Sequence, residues 1–203
     1  MVKKLVCIGD SLTEGFGVRK VAAWPALLQA ELGLEVVNKG ISGDTTTGML
    51  GRFYPDVILQ NPSHVMIMGG GNDMWWNVPT NVMLANIYAM VKQALHHQII
   101  PIIGISSAGF NPAMIDPSTV WEPIGGYEKL HEAGTLYTHE LKKMAQSNGW
   151  MLVSLQDLFL DGEGKVDHCF YEGTDGLHPN EKGHMRIAQA IAESLMKQAA
   201  VTS

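Results

Sequence analysis

The strongest constraint on the fold of this chain is its alternation of short β-rich apolar runs with longer stretches of helical periodicity. The runs are Lys4–Ile8, Glu35–Asn38, Val65–Met68, Ile99–Ile105 and Met151–Leu155. Several are apolar at consecutive positions, as strands covered on both faces of a parallel sheet must be. Between them Trp24-Pro25 opens one helix, with proline in a tolerated first-turn position. Further helices are predicted over Asn81–His97 and Tyr127–Ser147, the latter stopped by Asn148-Gly149, and over Asn180–Lys197 with Asn180 as N-cap. This alternation predicts an α/β sandwich whose sheet is mostly parallel and whose crossovers are right-handed.

A chain of 203 residues suits one domain with a sizeable core, and residues 1–203 are read as a single unit. The net charge of −6, with both signs interspersed, leaves no electrostatic footprint for nucleic acid or an anionic membrane. It also disfavours a highly acidic substrate. Two cysteines make no disulfide framework. Cys7 falls inside the first strand as a small hydrophobe, and Cys169 in a late loop. After Lys3-Lys4 only Leu5–Ile8 is apolar before Gly9-Asp10, too short for a signal-peptide core, and no span reaches transmembrane length. A cytoplasmic location is expected.

In parallel α/β sheets ligands bind beyond the carboxyl ends of the strands. Four segments with turn and donor chemistry follow strands there. Gly9-Asp10-Ser11-Leu12-Thr13-Glu14-Gly15 follows the first strand, and Gly40-Ile41-Ser42-Gly43-Asp44-Thr45 follows the second. Gly69-Gly70-Gly71-Asn72-Asp73 follows the third, and Asp175-Gly176-Leu177-His178-Pro179-Asn180 lies beyond the fifth. A hydroxyl nucleophile needs a base, and the base needs a carboxylate to hold its tautomer; Ser11, His178 and Asp175 are one of each. Asp175 and His178, three apart in a tight loop, can meet through Nδ1 and leave Nε2 for the serine. Each feature also has a plain structural reading. Ser11 suits a turn or N-cap, Asp44 or Thr45 an N-cap, and Pro179-Asn180 the start of a helix. The triple glycine would suit a phosphate cradle, but no Walker lysine or Gly-x-Gly-x-x-Gly helix entry accompanies it. Among the other histidines, His168 is the one rival base, while His64, His131, His139 and His184 read as surface or packing residues, and His96 and His97 as a helix end.

These four segments, in this order, resemble the four blocks of the SGNH (GDSL) hydrolases, with a match at each position that the family uses catalytically. The likeness spans residues 5 to about 196, and Ala23-Trp24-Pro25-Ala26-Leu27-Leu28 after the first block is closest to the bacterial acyl-esterase and lysophospholipase-like branch. It implies a three-layer, flavodoxin-like α/β/α sandwich with a five-stranded parallel sheet in the order 2-1-3-4-5. It implies a serine esterase acting on carboxylic esters, with Ser11 as nucleophile, His178 as base and Asp175 orienting it. The Ser11 and Gly43 N–H groups and the Asn72 amide would be oxyanion donors. No cofactor and no metal are expected, since neither His-x-x-x-His nor Cys-x-x-Cys occurs. The expected partner is a small-molecule ester of short or medium acyl, aryl or acetyl type, and a homo-oligomer is compatible with the sequence.

Asp10, Met74, Trp75 and Trp76 are candidate pocket residues. The adjacent tryptophans suit an acyl or aryl pocket, packing of the long Pro/Gly/Ser-rich stretch Ser106–Gly126, or a subunit contact. Two other readings use the same residues: an acyltransferase in which an alcohol or sugar hydroxyl replaces water, and a catalytically silent binding relative.

Overall fold

The computed structural model describes residues 2–106, 115–116, 118, 120–171 and 175–201. Positions 107–114, 117 and 119 of the Ser106–Gly126 stretch lie outside the described residues.

Five strands form the sheet: β1 (Lys4–Gly9), β2 (Glu35–Gly40), β3 (His64–Met68), β4 (Ile100–Ile105) and β5 (Met151–Ser154). Their order is β2-β1-β3-β4-β5, every neighbouring pair is parallel, and helices cover both faces. This is the architecture expected from the sequence. The central strand shows why its residues had to be apolar at consecutive positions. Val6 and Ile8 enter one core with Met49, Phe53, Ile87, Met90, Ile103 and Leu141, while Leu5 and Cys7 enter the other with Trp24, Leu28, Met66, Ile102, Ile187 and Ile191. Successive side chains of a strand point to opposite faces, so a strand buried on both sides has no position left for a polar residue.

The second core is closed by α2 (Trp24–Leu32) and α7 (Glu181–Val201), and the first by α3 (Thr46–Asp56), α5 (Thr80–His96) and α6 (Gly126–Asn148). Two short helices, α1 (Ser11–Glu14) and α4 (Gly71–Trp75), follow β1 and β3 directly. Most strand and helix boundaries shift by one or two residues from the sequence reading, with β2 running on to Gly40 and β4 starting at Ile100 rather than Ile99, while α7 runs four residues past Lys197 to Val201. The side chain of Asn180 accepts from the Lys182 and Gly183 amides at 3.0 and 3.1 Å, capping α7. Thr45 rather than Asp44 caps α3, accepting from Gly48 N–H at 3.2 Å.

Candidate active site

β1 ends at Gly9, and the chain turns at once into α1. The Asp10 side chain accepts from Leu12 N–H at 3.0 Å and caps a helix of 4 residues whose first is Ser11. Gly15, with φ of 89°, ends it; the N–H groups of Gly15 and Phe16 both donate to Ser11 O, at 3.0 and 3.1 Å. Trp24 Nε1 donates to Leu12 O at 2.9 Å, tying the turn to α2. Gly40 permits this packing: a Cβ there would sit 2.0 Å from the Glu14 nitrogen, so α1 lies directly against the end of β2.

The last loop returns to this edge from 167 residues further along the chain. His178 Nε2 lies 2.8 Å from Ser11 Oγ, and His178 Nδ1 lies 2.6 Å from Asp175 Oδ2. The other carboxylate oxygen, Asp175 Oδ1, accepts from the Leu177 and His178 amides at 2.8 and 2.9 Å. Burial alone raises the Asp175 pKa, but these hydrogen bonds and the imidazole outweigh it and hold the carboxyl below its ordinary value. Asp175 therefore stays ionised at neutral pH. Hydroxyl, imidazole and carboxylate form one hydrogen-bonded row, the arrangement that lets a ring nitrogen take a serine proton.

Gly43 has φ of 79°, a conformation other residues adopt only with strain, and nothing crowds its missing side chain. Asn72, on α4, donates one amide hydrogen to Asp44 O at 2.8 Å, leaving the second N–H of Nδ2 to aim elsewhere. Its neighbour Asp73 is fully buried and accepts from Thr46 N–H and Oγ1 at 2.8 and 2.7 Å. Burial pushes the Asp73 carboxyl up, against those two hydrogen bonds. Arg52 of α3 spans the same region. Its guanidinium donates to Asp44 Oδ2 at 2.7 Å, Lys39 O at 2.8 Å, Asp56 Oδ2 at 2.9 Å and Gly9 O at 3.0 Å. One side chain thus links the ends of β1 and β2 to the segment that holds Asn72. The sequence reading missed Arg52; its spacing of four from Asp56 was the only local trace of a network otherwise built from distant residues.

A cavity of about 910 Å³ opens at Ser11 and His178. Asp10, Gly43, Asn72, Met74, Trp75 and Trp76 all line it, and its far wall is Leu130, His131, Gly134, Thr135, Tyr137 and Thr138 of α6. That wall was not foreseen, and His131 lines the cavity instead of serving only the surface or the core. The signal was present as recurrence at three- and four-residue spacing along α6. Tyr137, buried beneath Gly70, donates its hydroxyl to Gly69 O at 3.0 Å and so fixes the glycine run. Trp75 lines the cavity and also packs against the Ser106–Gly126 stretch, its Nε1 donating to Trp121 O at 2.8 Å and its carbonyl accepting from Ile124 N–H at 2.9 Å. Trp76 is half exposed at the edge. His168 lies in the turn His168–Phe170 and is not among the residues lining the cavity. His184 is fully buried, with Nδ1 accepting from Trp24 N–H at 3.2 Å; burial lowers its pKa to about 4.

Among the described residues, no cluster of His, Cys, Asp and Glu is arranged to hold a metal, and no helix is long and apolar enough to cross a membrane.

Comparison with known proteins places the chain. It is 28% identical over 213 residues to an acetylxylan esterase of Geobacillus stearothermophilus, covering 95% of this chain and 94% of that protein. It is 29% identical over 200 residues to an arylesterase of Vibrio mimicus, covering 96% and 89%. The crystal structure of a GDSL-like lipase from Bacteroides thetaiotaomicron superposes with a TM-score of 0.76 over 97% of this chain and 89% of that one; at 24% identity this likeness speaks for the fold alone. The model of the GDSL-like lipase/acylhydrolase family matches residues 7–186, so the chain belongs to that family and is a carboxylic ester hydrolase.

Proposed function

We propose that ester hydrolysis proceeds here by acyl transfer through Ser11. His178 Nε2 takes the Ser11 proton as Oγ attacks the ester carbonyl carbon, and the imidazolium is balanced by ionised Asp175. The oxyanion is held by the N–H groups of Ser11 and Gly43 and the second amide hydrogen of Asn72. Collapse of the tetrahedral intermediate breaks the bond to the alcohol oxygen, which leaves with the proton from His178. Water then repeats the cycle, regenerating Ser11 and releasing the carboxylic acid. The observation that carries this reading is the continuous row of 2.8 and 2.6 Å contacts joining Ser11, His178 and Asp175.

Because the site draws on β1, β2, β3 and the loop before α7, residues 1–203 are read as one catalytic domain. The acyl group is assigned to the wall formed by Met74, Trp75, Leu130 and Tyr137. The lining is mainly apolar but ends near the polar Thr135, Thr138 and Gln156, which suits short to medium acyl, aryl or acetyl esters. The names of the relatives, an acetylxylan esterase and an arylesterase, support that range. A cytoplasmic location is proposed on the unpaired state of both Cys7 and Cys169, the second of them exposed; cell fractionation tests it.

The test of the mechanism is Ser11→Ala together with labelling by an organophosphonate. The variant should fold with unchanged thermal stability and lose turnover on p-nitrophenyl acetate, and the wild type should gain one phosphonyl group at Ser11. Wild-type turnover by the variant would end the proposal.

A further inference from the structure

Phe16 is a large apolar ring with no place in either core. It is 50% exposed, yet its backbone is rigidly held: it follows the left-handed Gly15, and its N–H donates to Ser11 O at 3.1 Å. Its ring packs against the His178 imidazole, with centroids 4.6 Å apart and planes tilted by 46°. Both rings line the cavity, as does Leu177. The exposed half of the ring adjoins the reactive atoms and gives a bound ester an apolar face to cover.

The geometry of acyl transfer says which part of an ester comes to this ring. When the tetrahedral intermediate collapses, His178 Nε2 must hand its proton to the alcohol oxygen, which therefore lies about 3 Å from that nitrogen. The oxyanion is directed to Gly43 and Asn72, and the acyl chain to the wall of Trp75 and Tyr137. Only the alcohol is left on the His178 side. With Phe16 in contact with the imidazole, the carbons attached to the alcohol oxygen come into van der Waals reach of the Phe16 ring.

We propose that Phe16 is the specificity-determining contact for the alcohol half of the ester, and that it favours alcohols presenting a ring over short open-chain ones. A ring laid on an aromatic face gains dispersion and area burial that an ethyl group cannot match. The proposal rests on the roles proposed above for Ser11 and His178.

The test compares kcat/KM for cyclohexyl acetate and ethyl acetate, followed by acid release. Both esters have the same acyl group and aliphatic alcohols of similar acidity, and kcat/KM reports the acylation half of the cycle, in which the alcohol is still present. Phe16→Ala should lower the cyclohexyl-to-ethyl ratio about tenfold, in line with loss of one aromatic contact. Phe16→Tyr, which keeps the ring, should restore the ratio to within about twofold of wild type. Should Phe16→Ala not fold, Phe16→Leu gives the same readout with a smaller decrease. Equal losses on both esters would make Phe16 a prop for His178 and overturn the proposal, as would an unchanged ratio. Failure of the underlying mechanism is separable, since it would show as turnover in Ser11→Ala whatever Phe16 does.

Discussion

Asp10 offers a test of how the site is held, because its chemistry works against the stability of the fold. Its carboxylate is only partly open to solvent and caps α1 beside Ser11. Burial pushes its pKa up to about 6, opposed by the Leu12 amide and by His178. An acid whose pKa is raised on folding keeps a proton in the native state that the unfolded chain has released. Stability therefore falls as pH rises from the ordinary carboxylate value of 3.8 to about 6, and the full penalty persists above that. A shift of that size corresponds to at most about 3 kcal/mol, less where water reaches the group. Asp10→Asn keeps an oxygen for Leu12 N–H and has nothing to titrate. His184 bends the wild-type curve in the opposite direction: its pKa of about 4 means stability is lost as pH falls below the ordinary 6.5. The informative quantity is thus the difference between variant and wild type, in which His184 cancels. Urea unfolding at pH values from 4 to 8 should show the variant gaining about 1–3 kcal/mol on the wild type between the two extremes, most of it below pH 7. Parallel curves, or a gain that grows toward acid, would refute the reasoning.

Other substitutions probe the donors and their support. Asn72→Ala should lower kcat by roughly 10²–10³ with little change in KM, as expected for a donor engaged in the transition state; steady-state kinetics showing a raised KM at unchanged kcat would assign Asn72 to ground-state binding. Arg52→Lys should lower kcat roughly tenfold or more even far below the melting temperature, because a single ammonium cannot hold Asp44, Lys39 O and Gly9 O together. Wild-type kcat accompanied only by a lower melting temperature would reduce Arg52 to a purely structural residue.

Much of the architecture was legible locally. Leu5–Ile8 and Val65–Met68 are apolar at consecutive positions, which only burial on both faces explains, and Pro25, Asn180 and Gly149 mark helix ends by backbone chemistry confined to a few residues. The helices α1 and α4 escaped because 4 and 5 residues are too few for any periodicity to register. The cavity wall on α6 and the clamp at Arg52 escaped for a different reason, since their meaning depends on what lies opposite them.

Sequence alone determined that the segments carrying Ser11, Gly43, Asn72 and His178 would emerge on one edge. Parallel strands all present their carboxyl ends in the same direction, so a turn placed after a strand is already assigned to that edge. Only the tertiary structure decided which of those turns would touch. The 2.8 Å contact across 167 residues, the guanidinium joining β1 to β2 and the Phe16 ring against His178 depend on strand order and on how α1, α3 and α6 pack. Distances of that kind are set by the summed packing of two cores, to which every layer contributes and which no short stretch of chain encodes.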